Sequence, residues 1–96
     1  MPGYVYILAN RKNGTLYTGH TANIAARTWA HKAGVGSKFT TKYGLTKLVW
    51  CDFYEDIRDA AYRESQIKNW KRQWKINLIE TDNPHWEDLS FKLNIN

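Results

Sequence analysis

The sequence contains only one cysteine and no long apolar run. The single cysteine, Cys51, excludes an intramolecular disulfide and a zinc cluster built from thiolates, and it fits a reducing cytoplasm. No apolar run approaches the roughly 20 residues that span a bilayer. The N-terminus, Met1-Pro2-Gly3-Tyr4, lacks the charged region and cleavage site of a secretion signal. We therefore expect a cytoplasmic protein with no membrane partner.

Aromatic residues and positive charge are abundant instead. The 96 residues are 43% hydrophobic and 15% aromatic, with five tryptophans and six tyrosines, which suits one small folded domain with a single modest core. A net charge of +5 and a pI near 9.4 favour a polyanionic partner, above all nucleic acid. Composition alone leaves open an ordinary basic protein that binds no polyanion.

Three segments rich in β-forming residues predict strands. Tyr4–Ala9 and Thr15–His20 flank the pair Asn13-Gly14, a strong signal for a hairpin, and Lys47–Tyr54 forms the third strand. A first helix, capped by Thr21 or Asn23, should run to about Ala33. We expect it to pack through one cluster of side chains, namely Ala26, Trp29, Ala30 and Ala33.

The second half of the chain reads as mainly helical. Asp56 caps a helix that should break near residues 70–72, and a further helix containing Trp74, Leu78 and Ile79 follows. Asn83-Pro84 predicts the start of a last short turn. The order β-β-α-β-α-α predicts an α+β domain with a small three-stranded antiparallel sheet flanked by helices. We expect this domain to cover residues 1–90, with a frayed tail at residues 91–96.

Glu64 is a carboxylate on the apolar face of a predicted helix. Ile57, Ala60, Ala61 and Ile67 mark one face of the helix that Asp56 caps, and Glu64 projects into the middle of this apolar stripe. An unpaired buried carboxylate costs several kcal/mol, so such a residue is usually paired, protonated or bound to metal. Its candidate neighbours from elsewhere in the chain are Tyr6, Tyr17, Arg27 and His31.

With these residues the chain resembles the GIY-YIG nuclease domain, and in particular the small single-domain members of that family. The two motifs read Tyr4-Val5-Tyr6 and Tyr17-Thr18-Gly19, followed in the family's order by Arg27, His31 and Glu64. Tyr4 replaces the first glycine of the family pattern and Thr18 the middle isoleucine, neither of which supplies a reacting group. The resemblance covers about residues 3–77.

The resemblance implies hydrolysis of a phosphodiester bond with one divalent ion, Mg²⁺ or Mn²⁺. Glu64 would hold the ion, since Mg²⁺ is commonly bound by a single carboxylate with water and phosphate oxygens. Tyr17 would be the base for the attacking water, with Tyr6 beside it. Arg27 would neutralise charge on the phosphate, and His31 would bond a phosphate oxygen or relay a proton. Asn77 lies where family members often place an asparagine near the phosphate.

Each of these residues also has a purely structural interpretation. The tyrosines could be ordinary sheet aromatics, Arg27 and His31 a solvated helix face, and Glu64 the partner of an internal arginine. A set of basic residues could likewise be a solvated surface or contact phosphates: Lys38, Lys42, Lys68, Lys71, Arg72 and Lys75.

Taken together, the pattern predicts a metal-dependent endonuclease that acts on DNA with low intrinsic sequence specificity. Such an enzyme would act on particular DNA structures or be directed by a targeting protein, as in DNA repair or recombination. The alternative is a nucleic-acid-binding module with little or no turnover. The sequence leaves open whether the substrate is duplex, branched or single-stranded DNA, or RNA.

Overall fold

A computed structural model describes residues 1–92 of the chain. Its sheet contains β1 (Gly3–Ala9), β2 (Leu16–Thr21) and β3 (Lys47–Tyr54), in the order β2-β1-β3 with both pairings antiparallel. The predicted α+β class and three-stranded antiparallel sheet are therefore confirmed. Because β1 is central, β2 is an edge strand, and within residues 1–92 one side of its backbone has no strand partner.

The β1–β2 hairpin closes through the predicted Asn13-Gly14 pair. Asn13 adopts a positive φ of 59°, and the backbone N–H of Gly14 donates to the carbonyl of Arg11 at 2.9 Å. Asn10 adds a side-chain bond, because its Oδ1 accepts from the backbone N–H of Thr15 at 3.0 Å. These local bonds set the register that places Tyr6 opposite Gly19.

Four α-helices surround the sheet. Asn23, Ser37 and Asp56 cap the first three, each side chain accepting from a backbone N–H two or three residues later. The break predicted near residues 70–72 separates the last two helices. No helix within residues 1–92 is both long enough and apolar enough to cross a membrane. The helices are α1 (Ile24–Lys32), α2 (Lys38–Tyr43), α3 (Ile57–Lys68) and α4 (Arg72–Asp82).

Both faces of the sheet are covered, so alternate residues of β1 enter two different clusters. Val5, Ile7 and Ala9 pack with Ile67 of α3 and Ile79 of α4. On the opposite face, Tyr6 and Leu8 pack with side chains that include Ile24 of α1, Leu45 and Leu48. Burial on both sides explains why β1 reads as an almost continuous apolar run.

The predicted packing face of α1 is wrong. Trp29 is 67% exposed, and the side of α1 that is buried consists of Ile24, Thr28 and His31. Only two residues separate β2 from α1, so Ile24 is set directly against the sheet, and Thr28 and His31 follow on the same side at helical spacing.

The expected turn at Asn83 is present as a single turn at residues 84–85, in which the N–H of Trp86 donates to the carbonyl of Asn83 at 3.1 Å. The buried side-chain amide of Asn83 makes three further bonds to the backbone: Nδ2 donates to the carbonyls of Val49 and Glu87, and Oδ1 accepts from the N–H of Glu87. The bonds to Glu87 turn the chain so that Trp86 becomes fully buried. The bond to Val49 joins residues 34 positions apart, so the sequence around Asn83 gives no sign of it.

A short helix lies at the predicted division between the domain and its tail. A 3-10 helix spans Leu89–Lys92 and contacts β3, so it crosses the predicted division between residues 90 and 91. Asp88, just before it, accepts from the backbone N–H of Leu48 at 3.3 Å and from the Nζ of Lys32. The remainder of the predicted tail, residues 93–96, lies outside the described residues.

Candidate active site

The candidate site is built around the edge strand β2, whose side chains alternate between the two faces of the sheet. Tyr17 and Gly19 lie opposite Leu8 and Tyr6 and share their face. The rings of Tyr6 and Tyr17 are 6.3 Å apart between centroids. The structure therefore brings the two motif tyrosines together, as the hairpin allows.

Gly19 is the reason that the phenol of Tyr6 can lie across β2. An ideal Cβ at position 19 would stand 2.7 Å from Oη of Tyr6 and 3.1 Å from a ring carbon of Tyr17. Real Cβ atoms do not approach that closely, so any larger residue would displace the hydroxyl. The glycine of the second motif is thus a steric requirement for the position of the first motif's tyrosine.

Tyr6 is held in its protonated form. Its side chain is almost fully buried, and this burial raises its pKa far above the ordinary value; Tyr17 and Glu64 also raise it, while Arg27 lowers it. At neutral pH the Tyr6 hydroxyl is therefore a hydrogen-bond donor rather than a base.

His31 is buried beside both tyrosines and is not part of a solvated helix face. Its ring centroid lies 6.2 Å from that of Tyr6 and 6.1 Å from that of Tyr17. Burial, helped by the charge of Arg27, lowers its pKa, so the imidazole is neutral at pH 7. Nδ1 is 3.0 Å from Oγ1 of Thr40, whereas Nε2 is buried without a hydrogen-bond partner in the described residues.

Arg27 is exposed, in contrast to His31 one turn later. It lies near enough for its charge to act on both Tyr6 and His31, and its side chain makes no hydrogen bond or ion pair with the residues at 1–92. It opens onto a groove of about 460 Å³ that Thr21, Asn23, Ala26, Ala30, Val35, Gly36 and Ser37 complete. An accessible guanidinium at such a groove can bind a phosphate by two parallel hydrogen bonds.

Glu64 approaches β2 from the other face of the sheet. Its side chain is 14% exposed; one carboxylate oxygen is hydrogen-bonded to Nδ1 of His20 of β2, and the other forms an ion pair with Lys68 of α3. Burial, the largest single influence, raises the pKa of Glu64, but the hydrogen bonds from Lys68 and His20 together lower it below the ordinary value. Glu64 is therefore ionised at neutral pH.

The partners of Glu64 differ from those expected. None of the four candidates from the sequence bonds to it, although its charge reaches Tyr6. His20 is a site residue that sequence reasoning missed. The alternation of side chains along β2 could have indicated it. His20 lies opposite Val5 on the face that α3 covers, and α3 carries Glu64.

The donor set around Glu64 fits Mg²⁺. Among residues 1–92 there is no group of three or more His, Cys, Asp and Glu side chains that could enclose a metal. Mg²⁺ does not need such a cage, because it keeps several waters and is often held by one carboxylate and the substrate's phosphate. In this structure one oxygen of the ionised Glu64 already binds the ammonium group of Lys68, so the position favours positive charge.

The predicted basic residues do not form one surface. Lys38 and Lys42 are exposed on α2, beside His31, while Lys68 is paired with Glu64. Lys71 precedes the first residue of α4, and Arg72 and Lys75 lie on that helix. The two groups are on opposite sides of the sheet, because α2 adjoins the Tyr6 face and α4 packs on the Val5 face.

Arg72 and Lys75 meet the hairpin in an open basic pocket of about 470 Å³. The Nη2 of Arg72 donates to the carbonyls of Asn13 and Gly14, at 2.8 and 2.5 Å, which holds the guanidinium at the hairpin tip. Arg11 contributes a third cation, and the lining includes no acidic residue. Arg11 was not among the predicted site residues, and its position in the hairpin loop was the only indication in the sequence.

Asn77 is exposed on α4. Its Oδ1 accepts from Nε2 of Gln73, one turn earlier on the same helix, at 2.9 Å. None of its hydrogen bonds within the described chain reaches Glu64, Arg27 or His31. Its place near the phosphate therefore stays a prediction.

Comparison with known proteins identifies the family of this domain. The model of the GIY-YIG catalytic domain matches residues 2–77. The chain belongs to the GIY-YIG family. A UPF0213 protein of Clostridium perfringens is 40% identical over 92 residues, which cover 96% of this chain and 98% of the relative. Another, from Staphylococcus haemolyticus, is 40% identical over 77 residues, covering 80% and 93%.

A solved structure extends the likeness to the whole fold. The solution NMR structure of a UPF0213 protein from Bacillus halodurans covers 100% of both chains at 31% identity, with a TM-score of 0.57. The GIY-YIG residues of this chain therefore sit in a small domain of the same overall architecture. This family is a nuclease family, which makes nucleic acid the expected substrate class.

Proposed function

We propose that this GIY-YIG protein is a divalent-metal-dependent endonuclease that hydrolyses phosphodiester bonds in DNA. The observation that carries the proposal is the meeting of complementary groups around one edge strand. Tyr6, Tyr17 and His31 adjoin β2 on one face of the sheet, and an ionised, largely buried Glu64 reaches it from the other. Arg27 adds an accessible cation.

Each protein group has a role that follows from its protonation state. Neutral His31 has an unoccupied Nε2 that can take a proton from the Tyr17 hydroxyl, and the resulting phenolate can take one from the attacking water. The water oxygen then bonds to phosphorus as the leaving oxygen departs. Tyr6, which stays protonated, donates a hydrogen bond to the oxyanion or the nucleophile.

Charge on the phosphate is balanced by Arg27, whose planar guanidinium has no protein partner among the described residues. A Mg²⁺ or Mn²⁺ ion held by Glu64 would polarise the phosphate and lower the pKa of a bound water. Lys68 would turn from the carboxylate toward solvent or phosphate as the ion enters.

Basic side chains away from this centre would contact the phosphate backbone. The pocket of Arg11, Arg72 and Lys75 also includes Leu16, the first residue of β2 and the neighbour of Tyr17 in the chain. Lys38, Lys42 and Lys71 would add further contacts. Phosphate contacts position a nucleic acid but do not read its bases, so site selection would come from DNA structure or from a targeting protein.

A cleavage assay tests the proposal. Labelled single-stranded, duplex, flap and branched DNA, and RNA, would be incubated with Mg²⁺, Mn²⁺ or EDTA. We expect metal-dependent cutting that falls about 100-fold or more in Glu64→Gln and in Tyr17→Phe. Asp59→Asn, an exposed carboxylate on the same helix, is the matched control and should cut normally.

Binding measured in EDTA separates the two functions. Glu64→Gln should bind DNA at least as tightly as wild type, because it removes a negative charge. A folded wild type that binds DNA but cuts no substrate with either metal would refute the endonuclease and identify a binding module instead.

A further inference from the structure

We propose that Thr40 is a positioning residue whose hydroxyl holds His31 in the tautomer that carries its proton on Nδ1. Nε2 is then left as the proton acceptor beside Tyr6 and Tyr17. The role of Nε2 as a proton acceptor in catalysis rests on the proposed nuclease function. The position of the proton on the His31 ring does not depend on that function, because it follows from the hydrogen bonds around Thr40.

The hydroxyl of Thr40 has one proton to donate and two lone pairs to accept with. It lies 3.0 Å from the carbonyl oxygen of Ser37, which can only accept, so its proton goes there. It is also 3.0 Å from Oγ of Ser37 and 3.0 Å from Nδ1 of His31. The Thr40 oxygen must therefore accept a hydrogen bond from Oγ of Ser37 and another from Nδ1 of His31. It follows that Nδ1 of His31 carries a hydrogen.

Ser37 completes the same network without conflict. Its Oγ accepts from the backbone N–H of Thr40 at 3.2 Å while capping α2. The hydroxyl proton of Ser37 is then free to point at Oγ1 of Thr40. All three hydrogen-bonding positions of the Thr40 oxygen are thus filled, and none is left to donate to His31.

The opposite tautomer would be poorly accommodated. A proton on Nε2 would be buried with no acceptor among the described residues, and the bare Nδ1 would face the lone pairs of Thr40. Gly36 contributes by its lack of a side chain, because a Cβ there would fall on Nδ1 of His31. The loop before α2 can therefore close over the ring and bring Thr40, 2% exposed, against it.

Nitrogen NMR of the histidine rings tests the proposal directly. In wild type at neutral pH, we expect the His31 resonances of a protonated Nδ1 and an unprotonated Nε2. Thr40→Val keeps the shape of the side chain but removes the hydroxyl, and should shift the ring toward the Nε2–H form. Thr40→Ser should restore the wild-type pattern. Thr41→Val, at an exposed position of the same helix, is the matched control.

Steady-state kinetics supply the second readout. Thr40→Val should lower kcat about 10-fold or more with little change in KM, since Thr40 is too deeply buried to touch nucleic acid, and Thr40→Ser should recover most of kcat. A wild-type His31 protonated on Nε2 would overturn the proposal, even if the valine variant fails to fold. So would an unchanged tautomer or unchanged kcat in a folded Thr40→Val. If the tautomer shifts as expected but no variant cuts DNA, the nuclease function fails while the positioning of His31 stands.

Discussion

His20 and Glu64, 44 positions apart in the chain, are hydrogen-bonded across the junction between β2 and α3. The bond fixes one oxygen of a largely buried carboxylate, and Lys68 occupies the other. The candidate metal ligand is thus held in place by two side chains, of which Lys68 is a cation. The affinity for metal should therefore be sensitive to the charge of Lys68.

Replacing Lys68 by methionine should strengthen metal binding. The ammonium group competes directly with a divalent ion for Glu64, and the methionine keeps most of the aliphatic side chain. We expect Mn²⁺ to bind about 3- to 10-fold more tightly in the absence of nucleic acid, as for a partly exposed charge pair. Electron paramagnetic resonance of free Mn²⁺ measures this directly. Lys71→Met should leave the affinity almost unchanged, and equal effects of both variants would contradict the assignment of Glu64.

Gly19→Ala should disturb Tyr6 through steric overlap. The added methyl would meet Oη of Tyr6 at 2.7 Å, and overpacking of this kind typically costs about 1–3 kcal/mol. Urea unfolding of the variant should show that loss. In a Tyr6→Leu background the same change should cost about 1 kcal/mol less, because Oη and Cζ of Tyr6, which the methyl would meet at 2.7 and 2.9 Å, are both gone. If the stability losses of the two substitutions simply added, the methyl group at position 19 would not be clashing with Tyr6.

Protonation of His31 should destabilise the protein in mild acid. Its folded pKa is lowered by burial and by the charge of Arg27. The folded state therefore binds fewer protons than the unfolded chain below about pH 6.5. The stability is fully present above that pH and is lost as the pH falls through the folded pKa.

The comparison of wild type with His31→Gln isolates this effect from the other titrating groups. Urea unfolding at several values between pH 5 and 8 should show a smaller loss of stability on acidification in the variant. Parallel curves for the two proteins would mean that His31 is not neutral in the folded state.

The basic pocket at the hairpin should contribute phosphate contacts. Arg11→Ala and Lys75→Ala should each weaken oligonucleotide binding and reduce the dependence of log K on log salt by about 1. Fluorescence anisotropy in EDTA measures this without cleavage. Lys12→Ala removes the same charge from an exposed residue that does not line the pocket. A loss as large for Lys12 as for Arg11 would indicate a diffuse electrostatic effect instead.

Local signals predicted the elements well. The Asn13-Gly14 turn, the caps at Asn23 and Asp56, and the helix break near residue 70 all occur where expected. Each depends on hydrogen bonds or steric limits within a few residues, so the sequence nearby contains the necessary information. The same holds for the placement of Glu64 in an apolar stripe, because helical periodicity alone determines it.

Two features were not predicted from the sequence. α1 buries Thr28 rather than Trp29 because its entry from β2 sets Ile24 against the sheet, and the bond of Asn83 to Val49 joins residues 34 positions apart.

The sequence by itself determined the strands, the helices and the motif residues, since these follow from short-range preference and residue type. Only the tertiary structure decided which of those residues meet. The contacts of His20 with Glu64, of Thr40 with His31 and of Arg72 with the hairpin depend on how elements pack. Periodicity along one element specifies a face, whereas the partner of that face is set by the packing of the whole chain.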